Sequence, residues 1–165
     1  MKKVLIVTSH SYISGIEIHC LNLIRELQNR DYQVEVLAPV EGPIVEQIRS
    51  LGITVHIFNF YRHYWRRVWG LYKIMRRGHY DIVHNHAFTR IALLAAKLAG
   101  VKRCIASVHV GGLGQSILSG ASRFRLTDTL MDRFVDRYIA NSDMTRRELM
   151  QRRIDADKIS LVYYG

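Results

Sequence analysis

Residues 3–29 read KVLIVTSHSYISGIEIHCLNLIRELQN, and this stretch decides the fold class. The apolar, β-branched run that opens it predicts a buried strand over Lys3–Thr8. A polar segment follows, and then a helix is predicted over Gly15–Asn29. Its apolar residues recur at helical spacing and predict one buried stripe: Ile16, Cys20, Leu23, Ile24 and Leu27. A buried strand that leads into an amphipathic helix is typical of an α/β domain.

The same alternation continues along the whole chain. Strands are predicted over Lys3–Thr8, Gln33–Ala38, Thr54–Phe58, Asp81–His84, Arg103–Val108, Arg137–Ala140 and Ser160–Val162. Helices are predicted near Gly15–Asn29, Pro43–Leu51, Tyr61–Arg77, Thr89–Ala99, Ser122–Phe134 and Met144–Gln151. Because apolar strands joined by helices form buried parallel sheets, the pattern predicts a doubly wound α/β fold with a mostly parallel sheet and helices on both faces.

Length and composition limit the classes of protein. The 165 residues fit one domain, and no linker rich in serine or glycine divides them, so residues 1–165 are predicted to form a single domain. The net charge of +10 favours a partner that carries phosphate or other negative charge. Cys20 and Cys104 form no C-x-x-C motif, which favours reduced cytoplasmic thiols over a disulfide or a zinc site. No apolar run is long enough to span a membrane.

The residues after each strand matter most, because ligands of open α/β sheets bind at the carboxyl ends of the strands. After the first strand, Ser14 and Gly15 lead into a helix whose free amides could hold a phosphate. Gly15 would allow close approach of the backbone. The alternative is a plain turn with Ser14 as the helix N-cap.

Two histidines, His84 and His86, follow one another at the end of the fourth predicted strand. Alternation places both rings on the same side of an extended strand. The pair is open to three interpretations: a metal pair that lacks a third ligand nearby, a structural histidine packed on the sheet, or a ligand-facing His86.

The fifth and sixth strands also end in polar residues. His109 stands where an acid, base or oxyanion-stabilising group would lie, although a structural histidine is an equal alternative. Asn141 and Ser142 follow the sixth strand, where capping of the next helix explains Ser142 or Asp143 equally well.

The helix predicted over Tyr61–Arg77 is both basic and aromatic. Tyr61, Tyr64, Trp65, Val68, Leu71, Tyr72 and Met75 form one apolar arc on a helical wheel. Another arc holds Arg62, Arg66, Lys73, Arg76 and Arg77, with Trp69 among these cations. This face fits an anionic membrane surface, a solvated back with Trp69 covered by a loop, or, as the weakest alternative, nucleic acid.

Several short motifs occur in a fixed order: KVLIV from Lys3, GIE at Gly15–Glu17, LNLIREL from Leu21, YQVEVL from Tyr32, YDIVHNH from Tyr80, SVH at Ser107–His109, ANSD from Ala140 and ISLVYYG at Ile159–Gly165. In this order they cover nearly the whole chain. Together they resemble the N-terminal half of a GT-B glycosyltransferase of family 4, which has a Rossmann-like fold.

The resemblance implies a retaining hexosyltransferase that moves a sugar from a nucleotide-sugar donor to an acceptor, without a metal or another cofactor. Gly15 matches the glycine loop that approaches the donor diphosphate, although Ser14 stands where the family commonly has a second glycine. His109 matches the strand-end histidine near the reacting sugar and the acceptor. His86 matches a position that lines the cleft, and Asn141 and Ser142 match the segment before the last helices of the domain.

The resemblance further implies a C-terminal domain with an E-x7-E motif, which binds the donor and is absent from residues 1–165. The domain by itself is therefore expected to be inactive. A cell-envelope polysaccharide or glycolipid is the expected acceptor, nucleic acid is not an expected partner, and a cytoplasmic location at the inner face of the membrane is expected. The alternative is a stand-alone binding module for a phosphorylated ligand, or a subunit that recruits a membrane-associated catalytic partner.

Overall fold

Seven parallel strands form one sheet in the structure, a computed structural model that describes residues 1–59, 64–86, 90–109 and 132–163. The strands are β1 (Lys3–Val7), β2 (Gln33–Ala38), β3 (Thr54–Ile57), β4 (Ile82–Asn85), β5 (Arg103–Val108), β6 (Arg137–Ala140) and β7 (Ile159–Leu161). Their spatial order is β3-β2-β1-β4-β5-β6-β7, and every pair is parallel. The predicted fold class is confirmed.

The strand order reverses direction between β1 and β4, which are neighbours in the sheet although two strands and three helices separate them in sequence. Val7 at the end of β1 pairs with Asn85 at the end of β4. At such a switch point the connections leave towards opposite sides, and a crevice opens beyond the carboxyl ends of the two strands. The polar residues after β1, β4 and β5 all lie at this edge.

The helices match the predicted ones closely. They are α1 (Gly15–Asn29), α2 (Pro43–Ser50), α3 (Tyr64–Gly78), α4 (Arg90–Leu98) and α5 (Asp143–Gln151), followed by a 3-10 turn over Ala156–Lys158. The glycine-rich segment Gly111–Gly120 and most of the predicted helix Ser122–Phe134 lie outside the described residues.

Two apolar clusters, one on each face of the sheet, form the core. Alternation along β1 sends Val4 and Ile6 into one cluster and Leu5 and Val7 into the other. The first cluster also contains residues of α1 and α2, and the second contains residues of α3 and α4. Both faces of the sheet are therefore covered, as the apolar strands require.

Two side chains differ from their predicted placement. Glu17 is not among the residues of the predicted buried stripe of α1, but it is fully buried together with Cys20, Leu21 and Ile24. Trp65 was predicted within the apolar arc of α3, but it is 77% exposed, while Val68, Leu71 and Met75 of that arc are buried. A helical wheel shows which face of the helix each residue occupies. It does not show how much of that face the neighbouring elements cover, or whether a polar side chain finds hydrogen-bond partners on it.

Candidate functional site

Four histidines gather at the switch point. His84 and His86 come from the end of β4, His109 follows β5, and His19 lies in α1. The ring centroid of His86 lies 4.2 Å from that of His84, 5.8 Å from that of His109 and 5.9 Å from that of His19. Three strand or helix ends that are remote in sequence thus form one group of rings, the histidine cluster.

Burial keeps these imidazoles neutral. Desolvation lowers the pKa of His84 to about 3 and the pKa of His109 to about 4, and it lowers the pKa of His86 well below the ordinary value. The neighbouring rings lower these pKa values further, whereas the carboxylate of Glu17 acts in the opposite direction on His109. At pH 7 each ring therefore offers one donor nitrogen and one acceptor nitrogen.

His84 and His86 differ in their hydrogen bonding. His84 Nε2 lies 2.8 Å from Ser107 Oγ on β5, so this ring is anchored to the neighbouring strand. His86 is buried, yet neither of its ring nitrogens has a hydrogen-bond partner among the described residues. A buried polar group without a partner is costly, and the cost is removed when a ligand hydroxyl or phosphate supplies the missing bond.

The described residues contain no group of three potential metal ligands among His, Cys, Asp and Glu. The rings of His86 and His109 are stacked, whereas those of His84 and His86 are tilted by 38°. Among the described residues, the hydrogen bond to Ser107 accounts for the position of His84, whereas His86 has no hydrogen-bond partner and lies in the middle of the cluster.

Glu17 organises the loop between β1 and α1, and the sequence interpretation did not include it among the site residues. Its carboxylate accepts hydrogen bonds from Ser9 Oγ, at 3.1 Å, and from Ser14 Oγ. The Ser-x-x-Glu spacing of a capping box was the signal that could have found it. Because Ser14 donates to this carboxylate, its hydroxyl does not cap the helix.

The first turn of α1 opens towards the site without a side-chain cap in the described residues. The first backbone bond of the helix runs from the Ile18 amide to the Ser14 carbonyl. Gly15 has no heavy atom within 4 Å of the position that a Cβ would occupy. The amide groups ahead of Ile18 and the open space at Gly15 suit a phosphate at the helix N-terminus.

Gly42 supports the same loop from the side and was also missing from the predicted site. A Cβ at Gly42 would lie 2.3 Å from the Ser11 carbonyl oxygen. The Ile44 amide donates to that same oxygen, and Ser11 Oγ donates to the Val40 carbonyl at 2.5 Å. The N-terminus of α2 thus packs closely against the segment that precedes α1 and keeps it in place.

Asn141 and Ser142 lie at the same edge, after β6, and both make hydrogen bonds within the protein. Ser142 Oγ accepts from the Thr145 amide at 3.1 Å and caps α5. Asn141 Oδ1 accepts from Thr145 Oγ1 at 3.0 Å. These contacts account for both side chains structurally, so their binding role stays a prediction.

The basic face of α3 is exposed. Arg66, Lys73, Arg76 and Arg77 are solvent-accessible, and Arg62 lies outside the described residues. Trp69 is 58% exposed, stacks on Tyr72, and lies 5.4 Å from Lys73 Nζ. No described helix has the length and apolar character needed to cross a membrane.

The topology and the switch-point site together define a Rossmann-like domain of the GT-B glycosyltransferase type. Similar solved structures include HepE from Anabaena in complex with UDP-glucose, at 18% identity and a TM-score of 0.78, where the alignment covers 100% of this chain and 44% of that chain. The lipopolysaccharide outer core galactosyltransferase WaaB has 18% identity and a TM-score of 0.68, with coverage of 100% and 46%. A UDP-N-acetylglucosamine 2-epimerase has 17% identity and a TM-score of 0.67, with coverage of 97% and 47%.

Residues 13–165 match the sequence profile of Glycosyltransferase Family 4, and the chain belongs to this family. The predicted resemblance to the N-terminal half of a GT-B enzyme is confirmed, and the chain spans less than half the length of these three solved structures. No curated protein sequence matches it significantly. Because the same fold occurs in a transferase and in an epimerase, the fold alone does not define the reaction.

Proposed function

We propose that this domain binds the acceptor in a retaining glycosyltransferase that transfers a hexosyl group from a nucleotide-sugar donor. The observation that carries the proposal is the histidine cluster, in which the central His86 has no hydrogen-bond partner among the described residues. The cluster lies beside the N-terminus of α1, which has no side-chain cap in the same part of the chain. Membership of Glycosyltransferase Family 4 supports transfer over epimerisation. The binding of UDP and UDP-glucose by HepE supports a nucleotide-sugar as the donor.

His109 is the proposed catalytic residue. Its neutral ring follows β5 at the switch-point edge and is half-buried, so it remains accessible to a ligand. A neutral imidazole accepts a hydrogen bond from a sugar hydroxyl and donates one from its other nitrogen. This orients the acceptor hydroxyl, or the donor sugar, without placing a charge in the site.

The other site residues have binding roles in this proposal. Gly15 lets the donor diphosphate approach the amides of the first turn of α1. His86 supplies a hydrogen bond to a sugar hydroxyl from the floor of the site. Asn141 and Ser142 border the site from the start of α5. No metal or other cofactor is assigned a role, and the donor is bound mainly by a second domain, without which the present domain is inactive.

The test is a transfer assay with radiolabelled UDP-glucose and cell-envelope extracts as acceptors, performed on the complete product of the reading frame that encodes this chain. His109→Ala should lower kcat/KM about 10²- to 10⁴-fold, the range for loss of a positioned acid or base. His79→Asn, an exposed residue after α3, serves as the matched control. Unchanged transfer by His109→Ala would remove His109 from the mechanism, and NMR of the product anomer decides between retention and inversion.

The proposed acceptor is a cell-envelope polysaccharide or glycolipid, and the basic face of α3 is proposed to contact an anionic membrane surface. Its members are Arg62, Arg66, Trp69, Lys73, Arg76 and Arg77. Charge complementarity and the exposed Trp65 and Trp69 rings support this partner, because interfacial helices combine basic residues with tryptophan. A cytoplasmic enzyme bound peripherally to the inner face of the membrane follows from this proposal.

Vesicle sedimentation tests this contact. Binding to vesicles that contain phosphatidylglycerol should decrease steeply as salt is raised, because screening weakens surface attraction. Trp69→Ala and Arg66→Gln should each weaken it, whereas Arg49→Gln, an exposed cation on α2, should not. Equal binding to neutral and anionic vesicles at low salt would contradict the proposed contact.

A further inference from the structure

A second group of charged side chains lies at the opposite edge of the sheet, around an open cavity of about 390 Å³. Lys3 begins β1 and Tyr80 precedes β4, so the cavity lies near the amino ends of these strands, whereas the histidine cluster lies beyond their carboxyl ends. Its charged and polar lining residues are Lys3, Glu35, His56, Lys73, Arg77 and Tyr80. The proposed sugar transfer uses none of them.

The strand side of the cavity is an internally satisfied network. The Glu35 carboxylate accepts hydrogen bonds from Lys3 Nζ at 2.6 Å, from His56 Nε2 at 2.7 Å and from the Tyr80 hydroxyl. Burial alone would raise the pKa of Glu35, but the three donors lower it to about 2. Glu35 therefore stays ionised and compensates the charge of Lys3.

The helix side of the cavity has cations without such compensation. Lys73 and Arg77 lie one turn apart on α3 and both line the cavity. Within the described chain neither forms an ion pair with a carboxylate. The lining holds three cations and one carboxylate, which leaves an excess of two positive charges before His56 is counted.

We propose that this cavity binds a phosphate group between Lys73 and Arg77. Phosphate carries up to two negative charges and several acceptor oxygens, which match one guanidinium and one ammonium group. Lys73 and Arg77 also belong to the basic face that we propose contacts a membrane, and Trp69 of that face lies 5.4 Å from Lys73 Nζ, so the cavity borders this face. The phosphate group is supplied either by a lipid headgroup or by a soluble phosphate.

The first experiment uses inorganic phosphate and the 165-residue chain. Phosphate at constant ionic strength should shift the amide NMR signals of Gly78 and Tyr80 in a saturable manner. Arg77→Gln should weaken this binding about tenfold, the effect of losing one charge-assisted bond. Arg76→Gln is the matched control, because it removes the same charge from the neighbouring residue, which does not line the cavity.

The second experiment identifies the source of the phosphate. Vesicles that contain phosphatidic acid should displace inorganic phosphate from the cavity if a lipid headgroup is the ligand, and Arg77→Gln should weaken vesicle binding more than Arg76→Gln. If phosphate binds but the vesicles do not displace it, the ligand is a soluble phosphate and the site stands. This part rests on the proposed membrane contact, which Arg66→Gln tests separately because Arg66 does not line the cavity.

Unfolding midpoints of all variants are compared first, and Lys73→Gln replaces Arg77→Gln if the latter is unstable. The proposal is overturned if wild-type chain shows no saturable phosphate binding. It is equally overturned if Arg76→Gln and Arg77→Gln weaken phosphate binding to the same extent, because the effect is then one of general charge. A transferase that is active but lacks this phosphate site would leave the proposed function intact.

Discussion

Titratable groups at the two ends of the parallel strands differ in charge state. We call the side with the carboxyl ends of the strands the carboxyl edge and the side with their amino ends the amino edge. At the carboxyl ends of the strands, His84 and His86 are buried, and no described carboxylate is among the groups that shift their pKa values, so desolvation lowers these pKa values and the rings are neutral. At the amino ends, three donors surround the partly buried Glu35 and lower its pKa to about 2, so it stays charged. Burial disfavours charge, but hydrogen bonds to the charged form reverse this effect.

This difference in hydrogen bonding decides whether polar groups at each edge can bind a ligand. Among the described residues, the ring nitrogens of His86 have no hydrogen-bond partner, whereas the Glu35 carboxylate accepts hydrogen bonds from three groups of the protein. The amino edge therefore contributes stability, and only its helix side, with Lys73 and Arg77, remains open to a ligand. At the carboxyl edge, the missing hydrogen bonds of His86 lower the stability of the fold and leave its ring nitrogens able to bind a ligand.

The pH dependence of stability gives the largest expected effect and distinguishes the two edges. Below the ordinary histidine pKa of 6.5 the unfolded chain binds protons that folded His84, His86 and His109 do not bind. Stability should therefore be complete well above pH 6.5 and decrease as the pH falls, by about 2 kcal/mol between pH 6.5 and 5 for His84, with further losses in the same direction from His86 and His109. Urea unfolding across this range measures it.

A matched pair of variants shows which residues cause the loss of stability between pH 6.5 and 5. His86→Asn should remove only its own share of the loss between pH 6.5 and 5, because the pKa values of His19, His84 and His109 are lowered as well. Glu35→Gln should leave that window unchanged, because the contribution of Glu35 is present above its ordinary pKa of 4.5 and is lost as the pH falls towards about 2. An identical slope in wild type and His86→Asn would show that His86 is not buried in its neutral form.

The amino edge is tested directly by Glu35→Gln at pH 7. The change leaves Lys3, with 22% of its side-chain surface exposed, without its counter-charge. We expect the free energy of unfolding to fall by about 2 kcal/mol, below the range for a fully buried pair because these groups are partly solvated. Glu41→Gln, which breaks an exposed pair with Arg49, should cause no measurable change, and equal effects of the two variants would contradict the comparison.

Gly42→Ala tests how the carboxyl edge is supported. The added methyl group would meet the Ser11 carbonyl oxygen at 2.3 Å, which forces the loop before α1 to move. Overpacking of this kind costs about 1–2 kcal/mol. Gly15→Ala is the control, because nothing lies within 4 Å of its Cβ position. Thermal unfolding of both variants should show a decrease only for Gly42→Ala.

Ser142→Ala gives the smallest expected effect and separates capping from ligand binding. Loss of the N-cap bond to the Thr145 amide should cost about 1 kcal/mol. The control, Ser50→Ala at an exposed position of α2, should change stability by less than about 0.5 kcal/mol. If Ser142→Ala keeps full stability but loses acceptor affinity, its role is binding rather than capping.

Much of the fold could be predicted because it depends on local patterns. Gly15–Asn29, Gln33–Ala38 and Arg103–Val108 have the predicted boundaries, since apolar periodicity and flanking polar residues mark them. The positions of His86 and His109 at the carboxyl edge could be predicted because these residues directly follow β4 and β5. Trp65 and Glu17 were placed wrongly, because their environments come from distant parts of the chain.

The candidate site could be predicted only in part. Residues that follow strands were found, because strand ends are visible in sequence. His19, Glu17 and Gly42 were missed, since their contribution depends on contacts across the loop between β1 and α1. The three donors on Glu35 come from β1, β3 and the residue before β4, which no local pattern brings together.

The sequence by itself determined the alternating elements, the parallel sheet and the family, because these follow from periodicity and motif order. Only the tertiary structure decided which buried groups are charged. That decision depends on whether oppositely charged or donating groups from other strands reach a buried side chain. His86 has none among the described residues and Glu35 has three, although both are polar residues at the edges of one sheet.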